Sequence, residues 1–233
     1  MNYNCSDIIF DLGGVLLDLN MQGIGEACQR LGINPELFFV KAESTSLTGE
    51  TEGGLPSTVC QGISASQVIT DYQVGKVTSE EFLSLVLSHC GEGITKEDIM
   101  EVWDACIGLI PRWRLDMVKE LRRKGYHTHL LSNTNDLHWE EIKRRYLSEE
   151  GYTCADLFDH VFVSHEVHLA KPDPAIYHLA VKEIGRPAEQ CLFIDDTLLN
   201  VEAAQREGLQ GAWLDLREKD CLKSILQRFF KNS

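Results

Sequence analysis

The stretch Ile8-Ile9-Phe10-Asp11-Leu12-Gly13-Gly14 constrains this chain more than any other. Three β-prone apolar residues in a row read as a buried strand covered on both faces, which is the habit of parallel sheets. Asp11 then puts a carboxylate where that strand ends. Gly13 and Gly14 follow, where the backbone must turn sharply or let another group approach closely. Open α/β sheets bind their ligands at such carboxyl ends. Taken alone, Asp11 fits equally well as a capping residue in a strand-to-loop turn.

Downstream, the periodicity changes twice. From Leu19 to about Gly108 it is helical. Ile24, Ala27, Cys28 and Leu31 share one face, ending at Gly32; Ser79–Gly91 and Thr95–Gly108 repeat the device, with Ser79 and Thr95 as the expected N-caps. Ser44–Ser66, rich in Gly, Ser and Thr and containing Pro56, is expected as loop or short irregular helix. From Pro111 onward, strands alternate with helices. Strands are expected at His127–Ser132, His160–Ser164, Cys191–Ile194 and Gly211–Leu216, and helices at Leu115–Lys124, His138–Tyr146, Pro174–Ile184 and Leu199–Glu207. Helices of that length between strands imply parallel βαβ units. Since the first strand has no partner of its own, it must join the later sheet, which makes the helical block an insertion. The expected fold is α/β, a Rossmann-like parallel sheet with an inserted all-helical cap. There is no internal repeat and no low-complexity tract.

Four positions at or just past predicted strand ends carry chemistry. Ser132, in LLSNTN, offers a hydroxyl, and Asn133 a backbone N–H, to an anion; the same residues also make an ordinary capping turn. Lys171 lies in AKPDP. There Asp173 and Pro174 serve as N-cap and first helical residue, but capping does not account for the lysine, which is either a solvated charge or one that reaches the crevice. Asp195 and Asp196 follow Cys191–Ile194 directly. Either Thr197 or Asp196 caps the next helix, or the two aspartates form a pair of hard oxygen ligands suited to Mg²⁺. Strand ends share one sheet edge, so Asp11, Ser132, Lys171 and Asp195/Asp196 converge. Together they offer a nucleophile, an anion donor, a cation and a metal pair, the parts that phosphoryl transfer uses.

Composition narrows the class. The 233 residues allow a substantial core, and a net charge of −14 repels nucleic acid and anionic membrane. An anionic substrate therefore needs local positive charge. Eight scattered cysteines form no CxxC pair, and the N-terminus has neither a basic region nor an apolar signal stretch. A reduced, cytoplasmic protein without a membrane partner is expected.

The motifs FDLGGVL, LLSNTN, the lysine of AKPDP, and FIDDTLLNVEAA occur in this order across most of the chain. In them the chain resembles the haloacid dehalogenase-like hydrolase superfamily, in the branch with a helical cap after the first strand. Its wording is similar to that of bacterial sugar-phosphate phosphatases such as α-glucose-1-phosphatase. The resemblance implies a core of residues 1–17 and 109–233 and a cap of 18–108. It implies Asp11 as a nucleophile forming an aspartyl-phosphate, with Ser132, Asn133 and Lys171 binding the phosphoryl oxygens. Mg²⁺ would be held by Asp11, the Gly13 carbonyl and Asp196, with Asp195 close by. The implied activity is a Mg²⁺-dependent phosphatase acting on a small phosphorylated metabolite.

One position departs from the pattern. Most phosphatases of this superfamily carry an aspartate, the general acid, two residues after the nucleophile. Here it is Gly13. General acid catalysis contributes about 10²–10⁴-fold, so the leaving group must need little protonation, as in anomeric, acyl or aryl phosphates, or another group must donate. His138 and Glu166 are candidates, each with an ordinary structural reading. Two other functions remain open: a metal-free 2-haloacid dehalogenase using the same aspartate, and a non-catalytic phosphate-binding regulator.

Overall fold

The computed structural model describes residues 5–39, 65–148, 151–217 and 221–230. Nearly all of Ser44–Ser66 lies outside the described residues. Five parallel strands form one sheet: β1 (Asp7–Phe10), β2 (His127–Ser132), β3 (His160–Val163), β4 (Cys191–Asp195) and β5 (Gln210–Trp213), in the order β3-β2-β1-β4-β5. The apolar run that opens the chain is the central strand, with Phe10 in register between Leu130 and Ile194. Alternation along β1 sends Ile8 and Phe10 to one face of the sheet and Ile9 to the other. Ile8 and Phe10 pack in a core with Leu121, Trp139 and Ile225, and Ile9 in a second core with Tyr177, Phe193 and Ala204. The chain builds outward from β1 to β3, then returns to add β4 and β5 on the other side. The crevice between the ends of β1 and β4 is thus a topological switch point.

The insertion has its own core. Helices α1 (Met21–Leu31), α2 (Ala65–Gln73), α3 (Ser79–Ser88) and α4 (Lys96–Asp104) enclose a cluster that runs from Ile24 to Trp103. Tyr72 stacks on Phe82 at 4.6 Å, and Phe82 meets Trp103 at 4.8 Å. The chain enters and leaves this block side by side. Asp18 N–H donates to the Leu109 carbonyl (2.8 Å), Gly108 N–H to the Asp18 carbonyl (3.0 Å) and Asn20 N–H to the Cys106 carbonyl (2.8 Å).

The remaining helices are α5 (Arg112–Arg123), α6 (Asp136–Ile142), α7 (Cys154–Leu157), α8 (Ser164–Val167), α9 (Pro174–Ile184), α10 (Leu198–Arg206) and α11 (Cys221–Phe230). Among the described residues no helix is long and apolar enough to cross a membrane, and Cys5, Cys28, Cys90, Cys106, Cys154 and Cys191 are free thiols. Pro174–Ile184 is helical over its expected length, between Asp173 as N-cap and Gly185 in the left-handed region. Elsewhere the ends differ. β5 begins at Gln210 and stops at Trp213, and α6 begins at Asp136 under an Asn135 cap and continues as a π-helical stretch to Ser148. α2, α7, α8 and α11 are not among the expected helices; α7 and α8, at four residues each, are too short to show a period.

The cap of α3 is Thr78 and not Ser79. The reason lies three residues on: Thr78 has Glu81 there, and the two form a reciprocal capping box, with Glu81 N–H donating to Thr78 Oγ1 (3.2 Å) and Thr78 N–H to Glu81 Oε2 (2.8 Å). Ser79 is free for another task, a hydrogen bond from its hydroxyl to Asp136 (2.8 Å). Thr78→Ala is expected to destabilise the protein by about 1 kcal/mol. This would be measured as a lower urea midpoint at unchanged m-value.

Candidate active site

The switch point holds a buried triad of charges. Asp11, one residue past β1, is anchored by its N–H to the Ile194 carbonyl (2.9 Å). Its Oδ1 accepts from Leu12 N–H (2.7 Å) and lies 2.7 Å from Lys171 Nζ. The same ammonium lies 2.7 Å from Asp195 Oδ2. Asp195 is the last residue of β4 and is wholly buried. Its carboxylate is satisfied by Lys171, by Thr197 N–H (2.8 Å) and by the Asn200 amide (3.1 and 3.2 Å). Of the two cap candidates, Thr197 is the N-cap of α10 but makes no side-chain cap bond of its own; Asp195, by accepting from Thr197 N–H, serves the start of the helix instead.

Electrostatics follow from the burial. Loss of solvent pushes the Asp11 carboxyl up to about 6, with Lys171 pulling it down and Asp195 adding to the rise. Burial also works against the Lys171 charge, but the Asp11 and Asp195 carboxylates outweigh it and raise the pKa of the ammonium. Asp196 is half-buried and raised by desolvation and by its neighbour Asp195. Ligand atoms of Asp11, Asp195 and Asp196 lie within 4.8 Å of one another. Gly14 makes this approach possible. Its φ is +75°, and a β-carbon there would sit 2.2 Å from Asp196 Oδ2.

Ser132 ends β2 beside β1 and is buried. The Asn133 side chain has a role that spacing does not reveal. Its amide donates to the Lys171 carbonyl (2.8 Å), and its Oδ1 accepts from Lys171 N–H (2.9 Å), clamping the backbone that carries the ammonium. Asn200 is the other residue missed at the sequence level, although it stands inside FIDDTLLNVEAA. It is five residues past Asp195, just over one helical turn, and its carbonyl accepts from the buried Tyr177 hydroxyl (2.9 Å).

Neither acid candidate is available to donate a proton from the geometry seen. Leu19 packs over Gly13, with its methyl groups 3.4 Å from where a β-carbon would be. The His138 ring stacks on Trp103 at 4.8 Å, with Nε2 donating to the Trp103 carbonyl (3.0 Å) and Nδ1 accepting from the Asn135 amide (3.1 Å). Glu166 is exposed beside His165.

Sheet order, strand-end carboxylates and helical insertion define a Rossmann-like hydrolase class with a helical cap. A family model, haloacid dehalogenase-like hydrolase, matches residues 8–208, and the chain belongs to that family. The D-ribitol-5-phosphate phosphatase of Bacteroides thetaiotaomicron is 26% identical over 205 residues, 88% of this chain and 89% of that protein. The (S)-2-haloacid dehalogenase of Pseudomonas putida is 25% identical over 222 residues, 91% and 85% of the two chains. The crystal structure of a family enzyme from Bacteroides thetaiotaomicron matches with a TM-score of 0.78 at 25% identity, covering 96% of this chain and 98% of that one.

Burial holds His138 neutral, pushed down to about 4. A histidine in the unfolded chain takes up its proton near 6.5, so protonation favours unfolding between those values. The stability contributed by neutral His138 is present above about pH 6.5 and is lost as pH falls towards 4, a loss of order 2–3 kcal/mol. An NMR titration should find that the His138 imidazole remains neutral, as the Nε2–H tautomer, down to about pH 5.

Proposed function

We propose that this protein is a Mg²⁺-dependent phosphomonoesterase that hydrolyses a small phosphorylated metabolite of the sugar-phosphate type. The observation that carries the reading is the Asp11 carboxylate held 2.7 Å from Lys171 at the end of the central strand, with the Asp195 and Asp196 carboxylates beside it. Three carboxylates facing one ammonium leave an excess of negative charge, and the donors are the hard oxygens that Mg²⁺ takes. Asp11, the Gly13 carbonyl and Asp196 would hold the ion, with Asp195 engaged by Lys171, Thr197 and Asn200. When bound, the ion supplies positive charge to the phosphoryl oxygens.

A carboxylate oxygen of Asp11 attacks phosphorus, and the bond to the ester oxygen breaks. Lys171 neutralises the charge of the transferring group, while the Ser132 hydroxyl and Asn133 N–H donate to its oxygens. Water then cleaves the aspartyl-phosphate, releasing phosphate and restoring Asp11. Because Gly13 brings no acid, the reading favours esters whose leaving group needs little protonation, such as anomeric sugar phosphates. The dehalogenase relative keeps displacement of halide from carbon in view; the half-buried Asp196, next to a second carboxylate, speaks for a cation site instead.

Turnover of p-nitrophenyl phosphate, with and without chelation of Mg²⁺, tests the reading. Metal-dependent phosphate release is expected, and Asp11→Asn should lower kcat by more than about 10³-fold while the fold is kept. Metal-independent chloride release from 2-chloropropionate would show a dehalogenase. Phosphate binding without turnover would show a regulator.

The two adjacent aspartates should separate in a Mg²⁺ titration. Asp196→Ala is expected to raise the Mg²⁺ concentration needed for half-maximal rate by about tenfold or more. Asp195→Ala should mainly lower kcat, because it removes a partner of Lys171. Equal shifts in the Mg²⁺ requirement would refute this ranking.

A further inference from the structure

Between the helical block and the carboxyl edge of the sheet lies a cavity of about 350 Å³ that starts at Asn133 and Thr134. Its wall is largely apolar, with Met21, Phe39 and Trp103 among its residues. A pocket of this kind takes its specificity from the few polar groups left free within it. Three candidates are already committed. Asn133 clamps Lys171, and Asn135 and His138 bond to each other and to Trp103.

Gln73 is different. It is the last residue of α2 and lines the cavity, and among the described residues its side-chain amide has no hydrogen-bond partner. Its backbone, in contrast, is fixed. The fully buried Ser164 hydroxyl lies 2.6 Å from the Gln73 carbonyl, 2.8 Å from the Thr134 carbonyl and 2.9 Å from Thr134 N–H. One hydroxyl therefore joins the end of α2 to the loop that follows Ser132. The Gln73 backbone is thereby tied to Thr134, two residues past Ser132, although it belongs to the helical block.

We propose that Gln73 is a specificity-determining residue, whose amide hydrogen-bonds a hydroxyl on the organic group of a compact polyhydroxylated phosphate ester while the aromatic wall packs against its C–H faces. This rests on the phosphomonoesterase reading above. A carboxamide both donates and accepts, as a hydroxyl does. A purely apolar group would leave the amide unpaired on binding, which is unfavourable. Ser164 is the positioning residue of this arrangement.

The test compares kcat/KM for hydroxylated esters (glucose 1-phosphate and ribitol 5-phosphate) with that for p-nitrophenyl phosphate, in the full chain with Mg²⁺. For Gln73→Met, close in size, the ratio of hydroxylated to aryl ester should fall by about 10- to 100-fold, mainly through KM. Ser164→Ala should lower the same ratio in the same direction, and circular dichroism shows whether each variant is folded. A ratio unchanged in folded Gln73→Met overturns the assignment. So does a wild type that hydrolyses the aryl ester and neither hydroxylated one, and in both cases the phosphatase reading stands. A wild type that hydrolyses no phosphate ester at all overturns that reading, and this assignment with it.

Discussion

The structure turns on one buried ammonium. Lys171 Nζ lies 2.7 Å from Asp11 and 2.7 Å from Asp195, over the ring of Phe193 at 5.5 Å, with its side chain almost wholly out of solvent. Bringing three charges into such a place carries a desolvation penalty of several kcal/mol per ion, which attraction offsets only with close geometry and further hydrogen bonds. Both conditions are met. Asn133 clamps the Lys171 backbone from both sides, and Asp195 receives three further donor contacts, from Thr197 N–H and the Asn200 amide. Removing Lys171 would leave both carboxylates without their counter-charge, so the ends of β1 and β4 and the segment that carries Lys171 stay in register together.

The loop after β2 is the seam between sheet and insertion. Its consecutive residues bond outward in turn: Asn133 to Lys171, Thr134 to Ser164, Asn135 to Trp103, Asp136 to Ser79, and Leu137 to the Tyr72 hydroxyl. Residues that begin beside the Asp11–Lys171 site end as a bearing surface for the aromatic core of the helical block. A shift of either body is therefore felt by the other through packed groups with little slack. The absence of side chains acts at the same place. Gly14 lets Asp196 close on Asp11, and Gly13 leaves space that Leu19 fills, so that the mouth of the site is apolar where a carboxylic acid is common in the family.

Much of this was legible in the sequence. The run Ile8-Ile9-Phe10, the glycines after Asp11, and the helix–strand alternation beyond Pro111 determined a parallel sheet with an insertion, since local periodicity and turn chemistry act over a few residues. Because parallel strand ends share one edge, the convergence of Asp11, Ser132, Lys171 and Asp195/Asp196 also followed from pattern alone. What pattern did not decide was which group each of these residues touches. That Thr78 and not Ser79 caps α3 was readable from Glu81. That Asn133 faces Lys171 with its side chain, that Asn200 serves Asp195, that His138 is spent on Trp103 and Asn135, and that the Gln73 amide has no partner among the described residues required the fold itself. Within the core these contacts join residues 3 to 38 positions apart, and the others reach between the insertion and the core. Spacing fixes which edge or face a residue occupies, but the partner across a gap is chosen by how the packed bodies meet, and only the tertiary structure settles that.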